Sequence, residues 1–353
     1  MSAENHTQIR VPADALRQFA ERAFITAGVE TQVAKETARA LWLTSLRGVD
    51  SHGMRLLPHY IASIEGGRLN PTPNFVFEQT AASTGRLDAV HGLGQAAGMQ
   101  ARRHAIQLAT EAGVGFVSVY NSSHCGALAT YALEACQHDM LGMAYTHATA
   151  RMRTPNGRRA FLGTNPICFA APMANEEPFC FDSAPTPFSF NKVKQYRQQR
   201  VQLPPDVAAD KDGHMTQDPT AAAQHLPIGD YKGFGLSMMV DILCGLLTGM
   251  PVGGEVSNMF GDPLSKKRYL GHFFGAIRID AFEDVATFKT RMQKLADDLR
   301  SEPALDTSIP MQVAGDPEKR TQQDYAANGI PLFASDVDAL NALGVRLGIG
   351  ALL

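Results

Sequence analysis

The chain has 353 residues and a formal net charge of −3, with no long run of Lys or Arg, so its charge argues against a nucleic-acid-binding protein and favours small molecules as partners. The segment Met1–Arg10 is polar, and the longest apolar stretch, Leu236–Met250, is too short for a membrane span and contains Asp241, so we expect a cytoplasmic protein. The five cysteines include no Cys-x-x-Cys pair, which argues against a disulfide framework and a zinc site; we expect buried thiols and no metal.

The chain begins with three predicted helices, over residues 12–28, 31–48 and 58–67, because apolar residues recur there at helical spacing. A glycine at the end of each stretch is a helix stop signal. Pro71 and Pro73 then mark a change of pattern. We place a domain boundary near residue 75.

After this boundary, short apolar runs alternate with a helical stretch, which predicts an α/β or α+β domain. Gly115–Tyr120 and Ile167–Ala171 are predicted strands, and Gln95–Ala112 is a predicted helix. Gly92–Ala97 fits the G-x-G-x-x-A pattern of a Rossmann dinucleotide site. The strand that should end in a ribose-binding acid lacks one, so a glycine-bearing turn that opens an amphipathic helix is the favoured interpretation.

Two later segments are harder to interpret. Ser183–Asp230 has little periodicity and many prolines and glutamines, which is typical of a lid, a partner contact or a disordered segment. Gly235–Thr248 is apolar on nearly every side, so this predicted helix must be buried in a core or in a subunit interface. We expect Asp241, within it, to be structural.

Two histidines are the candidate proton carriers. Ser51, His52 and Arg55 lie at a junction between helices, and His124 follows a predicted strand; such turns often face clefts. Hydride transfer to a carbonyl must be matched by a proton, which histidine can carry near neutral pH, and arginine can clamp a carboxylate. Asp182 ends an apolar strand and needs a partner, either an imidazole that it orients or the turn that follows.

The segment Gly229–Gly235 predicts a phosphate site, because free N–H groups at a helix start attract anions and Lys232 adds a positive charge. A surface lysine at a flexible helix start is the alternative interpretation. Lys232 also leaves open a function of another class, a Schiff-base lyase that attacks a 2-oxo acid through its amine.

Short segments spread over nearly the whole chain resemble the malate/L-lactate dehydrogenase type 2 family. These segments are Asp50–Gly53, Asn121–Ala127, Gly163–Pro166, Phe181–Ala184, Asp212–Gly213 with Thr216 and Asp218–Pro219, Lys232–Leu236 and Gly329–Leu332. The resemblance implies an α/β fold of the α+β type that is not a Rossmann fold. A mixed-sheet nicotinamide cofactor-binding domain would span residues 76–228, and residues 1–75 with about 229–353 would form a helical domain. It also implies a homodimer whose subunits share the active-site region.

By the same resemblance, His124 is the acid/base residue, and Ser51, His52 and Asp182 form a hydrogen-bonded relay. Thr164 faces the substrate. The cofactor, NAD or NADP, is expected to contact residues from several parts of the chain. These are Cys125, Gly126, Ala127, Ala148, Asp182, Ser183, Ala184, Lys232, Gly233, Ala314, Gly315 and Asp316.

The chain departs from the family pattern in three places. The carboxylate-binding arginine, four residues after the histidine in the family, is Leu56 here, and Arg55 precedes it. Arg151 and Arg153 add positive charge near the expected pocket, either for a second substrate carboxylate or in solvent. The late Pro-Gly-Glu loop of the family is Ala314–Asp316 here.

We therefore predict a NAD(P)H-dependent oxidoreductase that reduces a small 2-oxo acid or a cyclic imine carboxylate, and oxidises the matching 2-hydroxy or 2-amino acid. His124 exchanges the proton, and His52 assists it, held by Asp182. Arg55 and Thr164 hold the substrate carboxylate.

Overall fold

The computed structural model describes residues 8–353, so most of the polar segment Met1–Arg10 lies outside them. The helices are α1 Ala13–Thr26, α2 Thr31–Leu46, α3 Leu57–Glu65, α4 Gly94–Ala112, α5 Ala129–Cys136, α6 Phe190–Gln199, α7 Tyr231–Asp241, α8 Val285–Ser301, α9 Asp316–Asn328 and α10 Ala334–Leu347. The strands are β1 Gln8–Val11, β2 Val76–Ala81, β3 Thr84–Asp88, β4 Val114–Ser122, β5 Met140–Thr146, β6 Met152–Arg153, β7 Ala160–Leu162, β8 Ile167–Ala171, β9 Phe179–Ser183, β10 Ala208–Ala209, β11 Met215–Thr216, β12 Gln224–His225, β13 Leu270–Arg278 and β14 Ile330–Phe333.

The N-terminal helices share one hydrophobic core with the C-terminal helix. The apolar faces of α1, α2 and α3 bury Leu16, Phe19 and Leu41, as the helical spacing predicts. The strand pair β1–β14 and helix α10 add Leu332 and Leu340 to the same core. The two ends of the described chain therefore form one layer.

Seven strands form a mixed sheet in the order β2-β3-β4-β13-β5-β8-β9. Within the described residues, β3 and β4 are the one parallel pair of this sheet, and its other neighbours are antiparallel. Helices α4 and α5 pack on it through a core that includes Val119, Tyr131 and Phe274. This mixed order confirms the predicted fold class, since a Rossmann sheet is mostly parallel.

The glycine-rich turn before α4 has a packing role. A side-chain Cβ at Gly94 would lie 2.3 Å from the carbonyl oxygen of Ser123, so only glycine lets the helix approach the end of β4 so closely. The favoured interpretation of Gly92–Ala97, a glycine-bearing turn that opens an amphipathic helix, is therefore correct, and the Rossmann interpretation is wrong.

Strand β13 departs from the predicted domain division. The sequence groups residues 229–353 with the N-terminal helices, whereas β13 lies between β4 and β5 in the middle of the large sheet. Its neighbours precede it by well over a hundred residues, and the composition of one strand does not reveal such distant pairing. Strand β14 and helix α10, by contrast, pack with the N-terminal helices.

The segment Ser183–Asp230 is folded, so the disordered alternative is wrong. It contains α6 and three two-residue strands, which join β6 and β7 in a sheet of order β11-β10-β12-β6-β7. Val193, Leu203 and Val207 form a small core of their own. Strands this short carry no readable periodicity, which explains why the sequence did not predict them.

Helix α7 is the other departure. It begins at Tyr231 and continues into a π-helical turn, Ile242–Leu246. One side of this segment is exposed and apolar, with Leu236, Met239, Ile242, Leu246 and Leu247. The expectation that this helix is buried in a core is therefore wrong for its exposed side. The other predicted possibility, burial in a subunit interface, is still open for that side.

Two other expectations concern the rest of the described chain. All five cysteines are free and buried, as predicted. No helix between residues 8 and 353 combines the length and the apolar character that crossing a membrane requires.

Candidate active site

A cavity of about 1180 Å³ lies where the helical layer meets the seven-stranded sheet. Its walls come from the α2–α3 junction, the start of α5, the ends of β5 and β9, and the loop before α9. Pockets for a single small molecule usually measure roughly 300–1,000 Å³. This cavity is therefore large enough for a small substrate together with a second, larger ligand.

The two candidate histidines meet in this cavity. The ring centroids of His52 and His124 are 5.5 Å apart, and the rings are inclined by 26°. The Ser51 hydroxyl lies 2.7 Å from Nδ1 of His52, so neighbouring residues fix that ring. The structure thus brings together two polar turns that are far apart in the sequence.

Tyr60, on α3, orients the second histidine and was not among the predicted site residues. Its hydroxyl lies 2.6 Å from Nδ1 of His124. Burial raises the pKa of Tyr60, so its phenol stays protonated. A hydroxyl both donates and accepts, so it can support the imidazole in either protonation state. The only sequence signal is a tyrosine on a buried helical face, whose hydroxyl needs a partner.

Burial also sets the charge of the imidazoles. It lowers the pKa of His124 well below 6.5, and the charge of Arg268, together with that of His52 whenever His52 is protonated, adds to this effect. Burial and the charge of Arg55 lower the pKa of His52, and burial lowers that of His59 to about 4. These rings are neutral at pH 7, which suits His124 to accept a proton from a hydroxyl.

Asp182 lines the cavity, but its recorded partner differs from the predicted one. Its Oδ2 accepts a hydrogen bond of 2.7 Å from the backbone N–H of Ala129, the first residue of α5. The first N–H groups of a helix lack partners within the helix, so they bind this carboxylate in preference to the imidazole of His52. Although the residue opens onto the cavity, surrounding protein desolvates the carboxyl group and raises its pKa to about 6. The predicted relay through Asp182 to His52 is not formed.

Asn165 ties the wall of the cavity to α7. Its side chain is fully buried and accepts from the N–H of Ala148, while its Nδ2 donates to Ser237 O and Asp241 Oδ1, each at 2.9 Å. Asp241 also accepts from the N–H of Gly253 at 2.8 Å. Asp241 is therefore structural, as predicted, and Asn165 fixes the segment that carries Thr164.

The predicted substrate-binding residues line the cavity, but they are not equivalent. Thr164 lies on its wall, whereas Arg55 is exposed and Leu56 lies beside it. Arg151 also lines the cavity, with its guanidinium 4.7 Å from the ring centre of Phe190.

Arg153, by contrast, has a structural role. It does not line the cavity and donates to the carbonyl oxygens of Gly157 and Gly213. Neither alternative in the sequence prediction, a second substrate carboxylate or solvent, describes it.

Most of the predicted cofactor residues line the same cavity. These are Gly126, Ala127, Ala148, Asp182, Ser183, Ala184, Ala314 and Gly315. Cys125 is buried behind the wall. Asp316 pairs with Arg300 and accepts from the N–H of Val313, so it shapes the late loop instead of reaching the cavity.

Lys232 and Gly233 do not reach the cavity within the described chain. Lys232 is exposed in the first turn of α7, and Gly233 is packed against Ile228. The lyase alternative requires a lysine in an apolar pocket, so this position gives it no support. The alternative interpretation of a surface lysine fits better.

Comparisons with known proteins place this cavity in context. A family profile described as malate/L-lactate dehydrogenase matches residues 11–341. The chain is 31% identical to a malate dehydrogenase from Pyrococcus abyssi, over 98% of this chain and 96% of that protein. It is also 31% identical to a ureidoglycolate dehydrogenase (NAD(+)) from Escherichia coli O157:H7, over 83% of this chain and 84% of that protein.

A solved structure extends the likeness to the fold. The sulfolactate dehydrogenase from Methanocaldococcus jannaschii superposes with a TM-score of 0.91 at 27% identity, covering 97% of this chain and 98% of that one. These comparisons confirm the predicted family, the predicted fold class and the prediction that the protein is a dehydrogenase. The chain belongs to the malate/L-lactate dehydrogenase family.

Proposed function

We propose that this protein uses NADH or NADPH to reduce a small 2-oxo acid or a cyclic imine carboxylate, and oxidises the matching 2-hydroxy or 2-amino acid in the reverse direction. The observation that carries the proposal is the meeting of His52 and His124 on one cavity, with Tyr60 bonded to His124. Membership of a dehydrogenase family supports the reaction class.

The residues of the cavity fit a nicotinamide dinucleotide. Gly126, Ala127 and the start of α5 form a wall of small residues, against which a flat ring can lie. Asp182 and Ser183 add polar groups at the end of β9, beside the late loop, where the carbonyl oxygen of Ala314 accepts from the N–H of Cys180. Such a surface suits a flat ring with a polar amide, and we propose that these residues hold the cofactor.

In the proposed mechanism, the chain supplies the proton and the orientation. A reduced nicotinamide, when bound, provides the hydride that the substrate receives at C2. In reduction, the protonated ring of His124 donates its Nε2 proton to the substrate oxygen or nitrogen and becomes neutral, and in oxidation the neutral ring accepts that proton. The Nδ1–H of His124 can donate to the Tyr60 hydroxyl throughout, which leaves Nε2 for the substrate. His52, fixed by Ser51, lies against His124 and assists it.

We also propose that the protein is a homodimer. The exposed apolar side of α7 and its π-helical turn would be costly to leave in water, and a second copy of the chain can cover it. Sedimentation equilibrium should give about twice the chain mass of 38.1 kDa. A monomer at micromolar concentration would contradict this proposal.

A substrate panel tests the reaction. We expect at least one 2-oxo acid or cyclic imine carboxylate to oxidise NADH or NADPH, measured as loss of absorbance by the reduced nicotinamide. The same panel decides between the two dinucleotides and identifies the substrate. If no acid or imine is turned over with either dinucleotide, while borohydride traps a 2-oxo acid on Lys232, the lyase alternative replaces this proposal.

The pH dependence follows from the burial of His124. Because its pKa is lowered well below 6.5, the neutral base needed for oxidation persists as the pH falls. We expect kcat/KM for oxidation to stay level from about pH 8 to 6.5 and to decline only below that, whereas reduction gains as the pH falls through the same range. The carboxyl group of Asp182, whose pKa is about 6, titrates in the same pH range, so the decline of the oxidation rate below pH 6.5 should also be seen in Asp182→Asn. A decline of the oxidation rate that begins above pH 6.5 would oppose the assignment of His124 as the base.

Tyr60→Phe tests the support of the imidazole. The variant keeps the ring and loses the hydroxyl that bonds Nδ1 of His124. We expect kcat to fall about tenfold with unchanged dinucleotide binding, because a charge-assisted hydrogen bond is worth roughly 1.5–3 kcal/mol and part of it is replaced by water. Steady-state kinetics and dinucleotide titration measure the two effects. Equal kcat values would show that this bond does not matter.

A further inference from the structure

Arg268 is a buried cation in the wall of the cavity. Only 4% of its surface is exposed, and it lies in the segment just before β13. It lines the same cavity as His59, His124 and His147, and its charge is among the causes that lower the pKa of all three imidazoles. Its position in the sequence carries no motif that marks it as functional.

The hydrogen bonds of Arg268 hold one edge of the guanidinium and leave the other free. Nε donates to Ser257 Oγ at 2.7 Å, and Nη2 donates to Ser257 O at 2.9 Å and to Thr149 Oγ1 at 3.3 Å. Within residues 8–353, the buried atom Nη1 has no hydrogen-bond partner. The two N–H groups of Nη1 are therefore unused donors of the guanidinium.

Among the described residues, Arg268 forms no ion pair with a carboxylate, although the charge of Asp262 acts on it. The nearby carboxylate of Asp262 is held by Lys266 at 2.9 Å and by the N–H of Asn258. Burial lowers the pKa of Arg268 only to about 10, so it remains charged at neutral pH. A buried charge with a free donor edge is costly unless an anion binds to it.

We propose that Arg268 binds the carboxylate of the substrate, in place of the arginine that Leu56 replaces. The free N–H groups of its Nη1 can donate to one carboxylate oxygen, and Nη2, whose bond to Thr149 is long at 3.3 Å, can share that N–H with the other oxygen. Arg268 lines the cavity together with His124 and Met259, so an acid bound to it lies beside the proton carrier. The inference rests on the proposed function and deepens it by assigning the anion-binding group.

Arg55 is the competing candidate, and its surroundings argue against it. It is exposed at the cavity, and its positive charge acts on the carboxyl groups of Asp50 and Asp336. Those two acids already provide it with negative neighbours. Asp262 acts on Arg268 in the same way, but Lys266 and the N–H of Asn258 already hold that carboxylate, and Arg268 is buried whereas Arg55 is exposed. The anion should therefore bind at Arg268.

Anion binding is the direct test. Calorimetric titration with oxamate, malonate and the neutral ester ethyl oxamate is carried out on the whole protein, with and without NADH or NADPH. We compare the wild type with Arg268→Gln, Arg268→Lys, Arg55→Gln and the surface control Arg346→Gln. Circular dichroism and thermal unfolding establish that each variant is folded.

We expect Arg268→Gln to weaken oxamate binding by about 10- to 100-fold, the loss expected for a charged hydrogen-bonded pair, and to leave ester binding unchanged. Arg268→Lys keeps the positive charge but loses the planar guanidinium, so its oxamate affinity should lie between those of the wild type and Arg268→Gln. Arg55→Gln should change oxamate affinity less than Arg268→Gln. This selective loss of the anion is something that a merely structural role of Arg268 would not produce.

Two results would overturn the inference. One is oxamate affinity within twofold of wild type in Arg268→Gln; the other is a wild type that binds none of the carboxylates. The proposed function fails separately, if the wild type binds neither dinucleotide. Should Arg268→Gln not fold, the folded Arg268→Lys decides the question through its ratio of oxamate to ester affinity.

Discussion

Replacing His124 by Gln is expected to lower turnover by about two to four orders of magnitude, because one positioned acid/base group typically contributes that much. His124 lines the cavity, its ring is held by Tyr60, and His52 lies against it. Dinucleotide affinity should be unchanged, since the variant removes a proton carrier and keeps the volume. Stopped-flow kinetics with the acid identified by the panel, and titration of reduced-nicotinamide fluorescence, measure the two quantities.

Two further variants make this result specific. His104 stacks on Phe77 with ring centroids 3.7 Å apart and does not line the cavity, so His104→Gln should retain full turnover. His52→Gln should lose only about tenfold, because Ser51 and His52 assist the proton transfer without replacing His124. A His124→Gln enzyme with wild-type turnover would remove the assigned role of His124.

The second large effect concerns the buried amide of Asn165. Asn165→Asp keeps the shape of the side chain, but it can no longer donate to Ser237 O and Asp241 Oδ1. It also sets two carboxyl groups together where burial already raises the pKa of Asp241. We expect the free energy of unfolding to fall by roughly 3–5 kcal/mol at pH 7, the usual cost of an uncompensated buried charge.

A matched substitution and the pH dependence test this explanation. Asn121 also donates from Nδ2 to a carboxylate, Asp88 at 3.0 Å, but at a partly exposed site, so Asn121→Asp should cost less than about 1 kcal/mol. The loss in Asn165→Asp should shrink as the pH falls, because protonating either carboxyl group restores a donor and removes the repulsion. Urea unfolding at pH 7 and pH 5 measures both. Equal losses in the two variants would show that burial of the pair is not the cause.

The sequence predicted those parts of the fold that depend on local patterns. Helical spacing placed α1, α2 and α3, with Leu16 and Phe19 in their core. It also predicted β8 with the same ends as in the structure. Local periodicity is enough for such elements, because each buries one face regardless of its neighbours in the sheet.

Features that depend on distant contacts were not predictable. The pairing of β13 with β4 and β5 joins segments well over a hundred residues apart. The partner of Asp182 is a backbone N–H, which no side-chain motif marks. Tyr60 and Arg268 matter because of what surrounds them after folding, and a single tyrosine or arginine in a sequence carries no such information.

A crystal structure of the protein with a reduced dinucleotide and oxamate is the decisive measurement. Both ligands should lie in the one cavity, with the 2-oxo oxygen of oxamate within about 3.2 Å of His124 Nε2, a distance at which the proton can be exchanged. Oxamate or the dinucleotide bound away from His52 and His124 would contradict this prediction.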